Sequence, residues 1–209
     1  MAAIPDPETE AKNTSTDSAI QPDTNSDIST LDLASDARKA GFLRYEKVTL
    51  HPGLYTLQRS SSPNYDGTHD SSQHITASGI NFLHSQGIGH IICLNSDELS
   101  SYSISHLLGN AKPRIAFTHI PVADYHSPSL KEMQKGYKAY TDVKKDTLVW
   151  CGYGWGRTGT MITALQWYIE RAKGKVVRLG HNDYANNHVE QFHQGVSTGQ
   201  YETLDELQK

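Results

Sequence analysis

The sequence predicts an α/β protein in which a central mixed, mostly parallel sheet is flanked by helices on both faces. Short β-rich runs alternate with helical stretches beyond Gly41. The run from Ile88 to Leu94 is almost continuously apolar, as is typical of a strand covered on both faces. A glycine-rich loop then joins a strand that ends at Cys151 to a helix that begins at Arg157. The chain is therefore expected to carry a Cys-x5-Arg loop between a strand and a helix.

Four strands and four helices follow from these patterns in chain order. The predicted strands are Gly53–Leu57, Gly89–Asn95, Arg114–Val122 and Thr147–Cys151. The predicted helices are Ser72–Gln86, Glu98–Leu108, Ser129–Val143 and Arg157–Lys173. Ser129 is followed three residues later by Glu132, which is the pattern of a capping box, so this helix has the best-defined start.

The N-terminal segment differs in composition from the rest of the chain. Residues 1–40 are rich in Ser, Thr, Asp, Glu, Asn and Pro, and their acidic side chains outnumber the basic ones. Such a segment buries too little apolar surface to offset the entropy lost on ordering. We therefore predict a disordered acidic tail over 1–40 and a folded domain over 41–209, with a short helix over Ser29–Lys39 as the alternative for the end of the tail.

Composition excludes several classes of protein. The formal net charge of -4 leaves no overall basic footprint for nucleic acid. Cys93 and Cys151 are the only cysteines, too few for the disulfide framework of a small secreted protein. The sequence shows no signal-peptide pattern and no apolar run long enough for a membrane span. These features predict a cytoplasmic or nucleocytoplasmic protein.

The segment around Cys151 carries the chemistry. Glycines at positions 152, 154 and 156 allow successive backbone N–H groups to point inward, and a helix N-terminus adds further N–H donors. The same field favours the thiolate form of Cys151, which predicts a nucleophile. The guanidinium of Arg157 is suited to holding two phosphoryl oxygens. The loop is thus predicted to bind phosphate through residues Gly152, Tyr153, Gly154, Trp155, Gly156 and Arg157.

Thr158 and the two cysteines can be interpreted further from the sequence. The hydroxyl of Thr158 is suited to donating a hydrogen bond to the sulfur when the thiolate leaves. An inert buried thiol is the alternative interpretation of Cys151. Cys93 lies within an apolar run and is predicted to belong to the core.

The segment from Cys151 to Gly159, with Arg157-Thr158-Gly159 at its end, resembles the active-site signature of the cysteine-based protein tyrosine phosphatase superfamily, particularly its dual-specificity branch. Further segments resemble the family in the same order, and they are Gly53-Leu54-Tyr55 with Arg59 to Pro63, Gly87 to Asn95, Phe117 to Asp124, Asn187 to Glu190 and Gln200 to Leu204. The resemblance covers about Tyr45 to Leu207.

The resemblance implies two-step hydrolysis of a phosphomonoester. Cys151 would attack phosphorus, and Asp124 would act first as general acid and then as general base. Gln200 would help to position the hydrolytic water. An ordinary loop carboxylate is the alternative for Asp124, and Asp97 is a weaker candidate acid. The resemblance implies no metal and no other cofactor, and the partner would be a phosphorylated protein or a small phosphoester.

The sequence departs from the family at Trp150, where the family carries histidine. Indole offers one N–H donor and no acceptor, so the hydrogen bonds that support the loop must differ. The loop contains no lysine, which disfavours polyphosphoinositide substrates. Trp150, Tyr153 and Trp155 are expected to line an apolar pocket instead. Two alternative functions stay open, namely a phosphatase-fold enzyme for a small aromatic or terpenoid-type phosphate or diphosphate, and a catalytically weak protein that binds phosphorylated ligands.

Overall fold

The computed structural model describes residues 24–209, with side chains in the first helix described from residue 32 onward. The helices are α1 (Thr24–Lys39), α2 (Ala77–Ser85), α3 (Glu98–Asn110), α4 (Leu130–Val143), α5 (Gly156–Ala172), α6 (His181–Asn186) and α7 (Gln200–Leu207). The strands are β1 (Glu46–Lys47), β2 (Leu57–Ser61), β3 (His90–Cys93), β4 (Ala116–His119), β5 (Thr147–Cys151), β6 (Phe192–His193) and β7 (Val196–Ser197). A short 3₁₀ helix covers Asp70–Ser72.

The main sheet has the strand order β1-β2-β5-β3-β4. β1 pairs with β2 in antiparallel orientation, and the other three pairings are parallel. β5 therefore lies in the middle of the sheet, where both of its edges are paired. This confirms the predicted mixed, mostly parallel sheet, and β6 and β7 form a separate antiparallel pair.

Helices cover both faces of the sheet. One face packs against α1, α2 and α3 in an apolar cluster that contains Phe82, Ile104 and Trp150. The other face packs against α4 and α5 in a cluster that contains Met161 and Cys151. A third, smaller cluster joins α4 and α5 to α6 and α7. No helix within residues 24–209 combines the length and the apolar character that crossing a membrane requires.

Most predicted elements are present with shifted ends. The capping box of α4 is confirmed, because Ser129 and the side chain of Glu132 exchange hydrogen bonds with each other's backbone N–H groups. α2 starts after Thr76, whose Oγ1 accepts from the N–H of Gly79, and not at Ser72 as predicted. The N-cap stops the helix there, because the preceding residues form the 3₁₀ helix and a turn.

The strand predicted over Gly53–Leu57 is wrong in position, because β2 spans Leu57–Ser61. Its residues after Leu57 are polar, yet all of them are buried. Parallel pairing with β5 places Ser61 opposite Cys151. These buried polar side chains are hydrogen-bonded, Arg59 to the loop that follows β5 and Gln58 and Ser61 to residues between α1 and β1.

The predicted disordered tail also needs correction at its C-terminal end. Residues 1–23 lie outside the described part of the chain, but α1 occupies 24–39 within the predicted tail. Ala37 is fully buried and Ala40 nearly so, and both join the apolar cluster around Trp150. The sequence offered only the short helix over Ser29–Lys39 as an alternative, because within residues 32–39 Ala37 is the one fully buried side chain and Leu33 is half-buried, which marks no broad apolar stripe.

Candidate active site

The thiol of Cys151 lies at the end of β5, beside the loop of residues 152–155 and the first turn of α5. It is 2% exposed. The backbone N–H of Gly154 donates to its Sγ at 3.3 Å, and the carbonyl oxygen of Trp155 lies 3.6 Å from the same sulfur. An N–H donor and a helix N-terminus both favour negative charge on the sulfur. The N–H of Gly154 and the start of α5 therefore both face the sulfur of Cys151.

Two glycines of the loop are required for different reasons. Gly154 has φ +94°, and a Cβ at this position would lie 2.5 Å from the backbone of Ser60. The loop is thus packed directly on β2. A Cβ on Gly152 would lie 2.6 Å from a carboxylate oxygen of Asp70, so this glycine makes room for a side chain from another part of the chain.

The side chain of Arg157 is 3% exposed and returns toward the loop. Its Nη1 and Nη2 donate to the two carboxylate oxygens of Asp70 at 2.7 and 3.0 Å. Nη1 also donates to the carbonyl of Val122 at 2.9 Å, and Nη2 lies 2.8 Å from Oδ1 of Asp124. Burial opposes the charge, but the sulfur of Cys151 and the Asp70 carboxylate together raise the pKa of Arg157 above its usual range.

Asp70 is a further residue of the site, paired with Arg157, that the sequence did not single out. It begins the 3₁₀ helix, and its Oδ2 accepts from the N–H and the Oγ of Ser96, each at 2.8 Å. Burial alone would raise the pKa of Asp70, but the guanidinium of Arg157 outweighs it and lowers that pKa. Asp70 stands in a polar stretch without periodicity, so no local pattern separates it from a solvated loop residue.

Arg59 contacts the loop from strand β2. It lies on β2 with a side chain that is 2% exposed, and its Nη2 donates to the carbonyl of Gly154 at 2.7 Å. Its Nη1 donates to the carbonyl of Asn187 at 2.7 Å, and Nε lies 3.4 Å from Oε1 of Glu46. Burial lowers the pKa of Arg59, and the nearby Glu46 and Cys151 oppose that shift. The sequence marked Arg59 only as part of the segment that resembles the family's opening strand.

Asp124 follows β4 and enters the same cavity as Cys151. Its Oδ1 also accepts from the N–H of Tyr125 at 3.0 Å, and its side chain is 35% exposed. The cavity has a volume of about 620 Å³. Tyr65 lines it as well, and burial, with a smaller contribution from Asp124, raises the pKa of Tyr65 to about 12. The structure thus brings the predicted acid to the predicted nucleophile.

The C-terminal segment closes another side of this cavity. The side chain of Gln200 is buried at the start of α7, and its Oε1 accepts from the N–H of Glu190 at 2.9 Å and from Oγ1 of Thr160 at 3.1 Å. Its Nε2 donates to the carbonyl of His126 at 3.4 Å. Gln200 and Glu190 both line the cavity. The segment therefore connects the start of α5 to the loop that carries Asp124.

Trp150 does not line the pocket, and this part of the sequence prediction is wrong. Its side chain is fully buried on the opposite face of the sheet, 6.2 Å from Phe42 and 6.1 Å from Phe117 between ring centroids. Neighbouring residues of a strand point to opposite faces, so the residue before Cys151 must turn away from it. Tyr153 and Trp155 do line the cavity.

Thr158 does not form the predicted hydrogen bond to sulfur. Its Oγ1 is buried and has no hydrogen-bond partner among the described residues. The N–H of Gly154 is the donor to Sγ instead. Asp97, the weaker candidate acid, caps α3 by accepting from the N–H of Ser100 at 2.8 Å. Cys93 is fully buried, and burial raises the pKa of its thiol to about 11.

The fold is shared with solved phosphatases. A kinase associated phosphatase with serine in place of its catalytic-site cysteine superposes with a TM-score of 0.58 at 19% identity, over 78% of this chain and 95% of that chain. For a protein tyrosine phosphatase of Trypanosoma brucei the TM-score is 0.52 at 13% identity, over 78% and 71% of the two chains. For Tk-PTP it is 0.51 at 18% identity, over 78% and 94%. At sequence identities of 13–19%, this structural similarity establishes the fold alone.

The family follows from the sequence of the domain. No curated protein matches the chain. The family model PTP-SAK, described as a Swiss Army Knife protein, DSP-PTPase phosphatase domain, matches residues 69–196, which is more than half of the chain. The matched range contains Asp70, Asp124, Cys151 and Arg157. The chain therefore belongs to the PTP-SAK family of cysteine-dependent, dual-specificity-type phosphatase domains.

Proposed function

We propose that the protein hydrolyses phosphomonoesters through a phosphocysteine intermediate at Cys151. The observation that carries the proposal is the meeting of three side chains in one cavity. Cys151, Asp124 and Arg157 line it together, although Asp124 and Cys151 belong to different strand ends. A nucleophile, an acid and an anion clamp are the groups that this reaction requires.

Phosphate binding would use the backbone of residues 152–156 and the guanidinium of Arg157. Asp70 holds Arg157 through two hydrogen bonds and so fixes the plane of the guanidinium before substrate arrives. The carboxylate of Asp124 lies against Nη2 of Arg157 in the free protein. A phosphoryl oxygen takes over this contact when Asp124 is protonated, because a neutral carboxyl no longer competes as an anion.

The first chemical step forms the S–P bond and breaks the P–O bond of the ester. The thiolate of Cys151 attacks phosphorus, and protonated Asp124 transfers its proton to the leaving oxygen, so that the alcohol departs neutral. The transferring group carries developing charge on its oxygens, which the loop N–H groups and Arg157 stabilise. The product of this step is phosphocysteine with ionised Asp124.

The second step returns the enzyme to its starting state. A water molecule attacks phosphorus while Asp124 removes a proton from it, and the S–P bond breaks to release phosphate and the thiolate. Gln200 lines the cavity beside the start of α5, and in this proposal its side-chain amide orients the water. The buried hydroxyl of Thr158 has no hydrogen-bond partner within residues 24–209, and rotation toward Sγ would stabilise the leaving thiolate.

The substrate is a phosphorylated protein or a small phosphoester. Four aromatic side chains line the cavity, and they are Tyr65, Tyr125, Tyr153 and Trp155. Flat rings at this position support an aryl phosphate, either phosphotyrosine or a small aromatic ester. Among the described residues no lysine lines the cavity, which argues against a polyphosphoinositide.

Rapid-mixing kinetics with p-nitrophenyl phosphate test the proposal. We expect a stoichiometric burst of nitrophenol, and acid quenching during the burst should trap phosphate on Cys151. Cys151→Ser should abolish turnover while vanadate still binds, because backbone N–H groups and Arg157 remain. A folded native protein that binds vanadate but shows neither burst nor turnover would be a phosphate-binding protein, contrary to the proposal.

Cys93→Ser provides the matched control. Cys93 is the other cysteine, is fully buried and faces the opposite side of the sheet from Cys151. Activity should persist in this variant, provided that its Tm shows a folded protein. Loss of the burst in folded Cys93→Ser would contradict the assignment of Cys151 as the nucleophile.

A further inference from the structure

The wall of the cavity beyond the phosphate loop is made of fixed aromatic rings. Trp155 stacks on His188 with centroids 5.0 Å apart and planes inclined by 8°. Tyr125 stacks on His193 at 3.7 Å and 23°. These contacts hold the rings in place before any ligand arrives, so their faces form a preorganised surface.

Tyr153 adds a ring whose one face is already occupied. The guanidinium carbon of Arg44 lies 3.5 Å from the centroid of this ring, and Nε of Arg44 donates to the carbonyl of Tyr153 at 2.6 Å. Arg44 is not among the residues that line the cavity. Its guanidinium, which also lies 5.9 Å from the centroid of Trp155, therefore contacts the loop from outside the cavity, and Trp155, Tyr65 and Tyr125 supply the aromatic surface inside it.

Carboxylates outnumber lysine and arginine side chains in and beside the cavity. Arg157 is its single lysine or arginine among the described residues, and Asp70 and Asp124 both lie against the guanidinium. Glu190 is a further carboxylate, and among the described residues its only ionisable partner within 4 Å is His193, with Nδ1 3.0 Å from Oε1. An excess of negative charge thus faces the space next to the phosphate loop.

Glu190 lies close to the place where a phosphoryl group would bind. Its Oε2 is 3.1 Å from the position that a Cβ on Gly156 would occupy, at the first residue of α5. The side chain is 37% exposed, so the carboxylate is within reach of a ligand. An anionic substituent here would be repelled, and a cationic one would meet both the carboxylate and the aromatic faces.

We propose that the substrate carries a positively charged group, an ammonium or a guanidinium, next to its phosphoryl group, and that Glu190 with the rings of Trp155, Tyr65 and Tyr125 receives it. The proposal rests on the phosphatase function proposed above and specifies its substrate class. The cation belongs either to a small phosphorylated amine or to a basic side chain beside a phosphorylated residue, and both present the same chemistry to the cavity.

Two aryl phosphates of opposite charge test the proposal. Tyramine O-phosphate and the phosphate of 3-(4-hydroxyphenyl)propionate have similar phenol leaving groups, but one ends in an ammonium and the other in a carboxylate. We expect kcat/KM to favour the ammonium ester by about 10-fold, within the range that cation–π and partly exposed ion pairs supply. Assays at about pH 8 keep ordinary imidazoles neutral.

Glu190→Gln tests the residue itself, because glutamine keeps the shape and hydrogen-bonding capacity of the side chain while removing its charge. The ratio between the two esters should fall by about 3- to 10-fold in this variant. Glu206→Gln, an exposed carboxylate on α7 outside the cavity, should leave the ratio unchanged. A native ratio near one, or a ratio that Glu190→Gln does not change, would overturn the proposal.

The source of the cation is resolved by phosphotyrosine peptides with lysine or glutamate beside the phosphorylated residue. If the kcat/KM ratio of the lysine peptide to the glutamate peptide exceeds the ratio of the ammonium ester to the carboxylate ester, the cation belongs to a protein side chain. The reverse result assigns the cation to a small amine. Failure of the proposed function gives a different result from failure of this inference. If neither ester is hydrolysed the phosphatase function is wrong, whereas equal hydrolysis of both contradicts only the charge preference.

Discussion

Trp150 and Cys151 are neighbours in β5, yet their side chains enter opposite layers of the protein. The indole is enclosed by Phe42 and Phe117 in the apolar cluster beneath α1, α2 and α3. The sulfur faces the layer of α4 and α5, under the phosphate-binding loop. One strand therefore stabilises the fold through one face and presents the reactive group through the other.

The two faces are held together by different forces. The Trp150 face relies mainly on close packing of apolar rings. The Cys151 face also packs as an apolar cluster, but around its loop it adds charged and hydrogen-bonded groups, mainly Arg59, Arg157 and Asp70, which are paired with one another or with backbone carbonyls. We therefore expect substitutions on the Cys151 face to change the rate strongly and those on the Trp150 face to change mainly the stability.

Asp124→Asn should have the largest effect on rate. Asparagine cannot donate the acid proton, so kcat for substrates with poor leaving groups should fall by about 10²–10⁴. The loss should be much smaller for a nitrophenyl ester, whose leaving group needs little protonation. Asp97→Asn is the control, because Asp97 caps α3 instead. Equal losses on both substrates would indicate a structural role for Asp124.

Arg157→Lys should lower kcat/KM by about 10²–10³, similar to removal of an oxyanion donor. Lysine keeps the charge but loses the fork that binds Asp70 and that, in the proposed mechanism, would hold the phosphoryl group. Arg171→Lys, on the exposed part of the same helix, should keep the native rate. The comparison is made with steady-state kinetics and a Tm measurement for each variant. Retention of most of kcat/KM in Arg157→Lys would show that charge alone suffices.

Arg59→Met should affect both rate and stability, since Arg59 lies on the Cys151 face and donates both to the loop at Gly154 and to the carbonyl of Asn187 outside it. The carbonyls of Gly154 and Asn187 lose their donors, and each buried unpaired group costs about 1–3 kcal/mol. We expect kcat/KM to fall by about 10-fold because the N–H of Gly154 no longer stays directed at Sγ. Arg59→Lys should recover part of both losses.

Urea unfolding measures the stability of the Arg59 variants. Iodoacetamide alkylation of Cys151 under fully native conditions measures the thiolate independently of the folded fraction. A slower alkylation in Arg59→Met than in native protein is expected. An unchanged alkylation rate with lowered stability would show that the role of Arg59 is structural alone.

Trp150→Phe should have the smallest effect on rate. The smaller ring leaves a gap beside Phe42 and Phe117, and such core changes cost about 1–3 kcal/mol. Activity per folded molecule should stay within about threefold of native. Trp150→His should be less stable than Trp150→Phe, because it buries a polar ring in an apolar cluster. A large loss of rate in folded Trp150→Phe would contradict the expectation that the Trp150 face affects mainly stability and the Cys151 face mainly rate.

The sequence by itself determined the parts of the protein that depend on neighbours along the chain. The Cys-x5-Arg loop, the helix that follows it and the capping box at Ser129 are all local patterns, and the structure contains each of them. The alternation of strand and helix was enough to predict the sheet with helices on both faces, and the loop motif together with the further segments in the same order was enough to recognise the resemblance to the phosphatase family.

Tertiary structure alone decided which distant side chains meet around that loop. Asp70 carries no local signal, and Arg59 and Glu190 are marked only as members of segments that resemble the family. They come to the loop or to its cavity because β2, the 3₁₀ helix and the C-terminal segment pack against β5 and α5. Strand alternation already turns Trp150 away from Cys151, and the folded chain decided only which rings pack on it. A local pattern specifies backbone conformation, whereas pairing of charges and packing of rings depend on surfaces that come together only when the chain is folded.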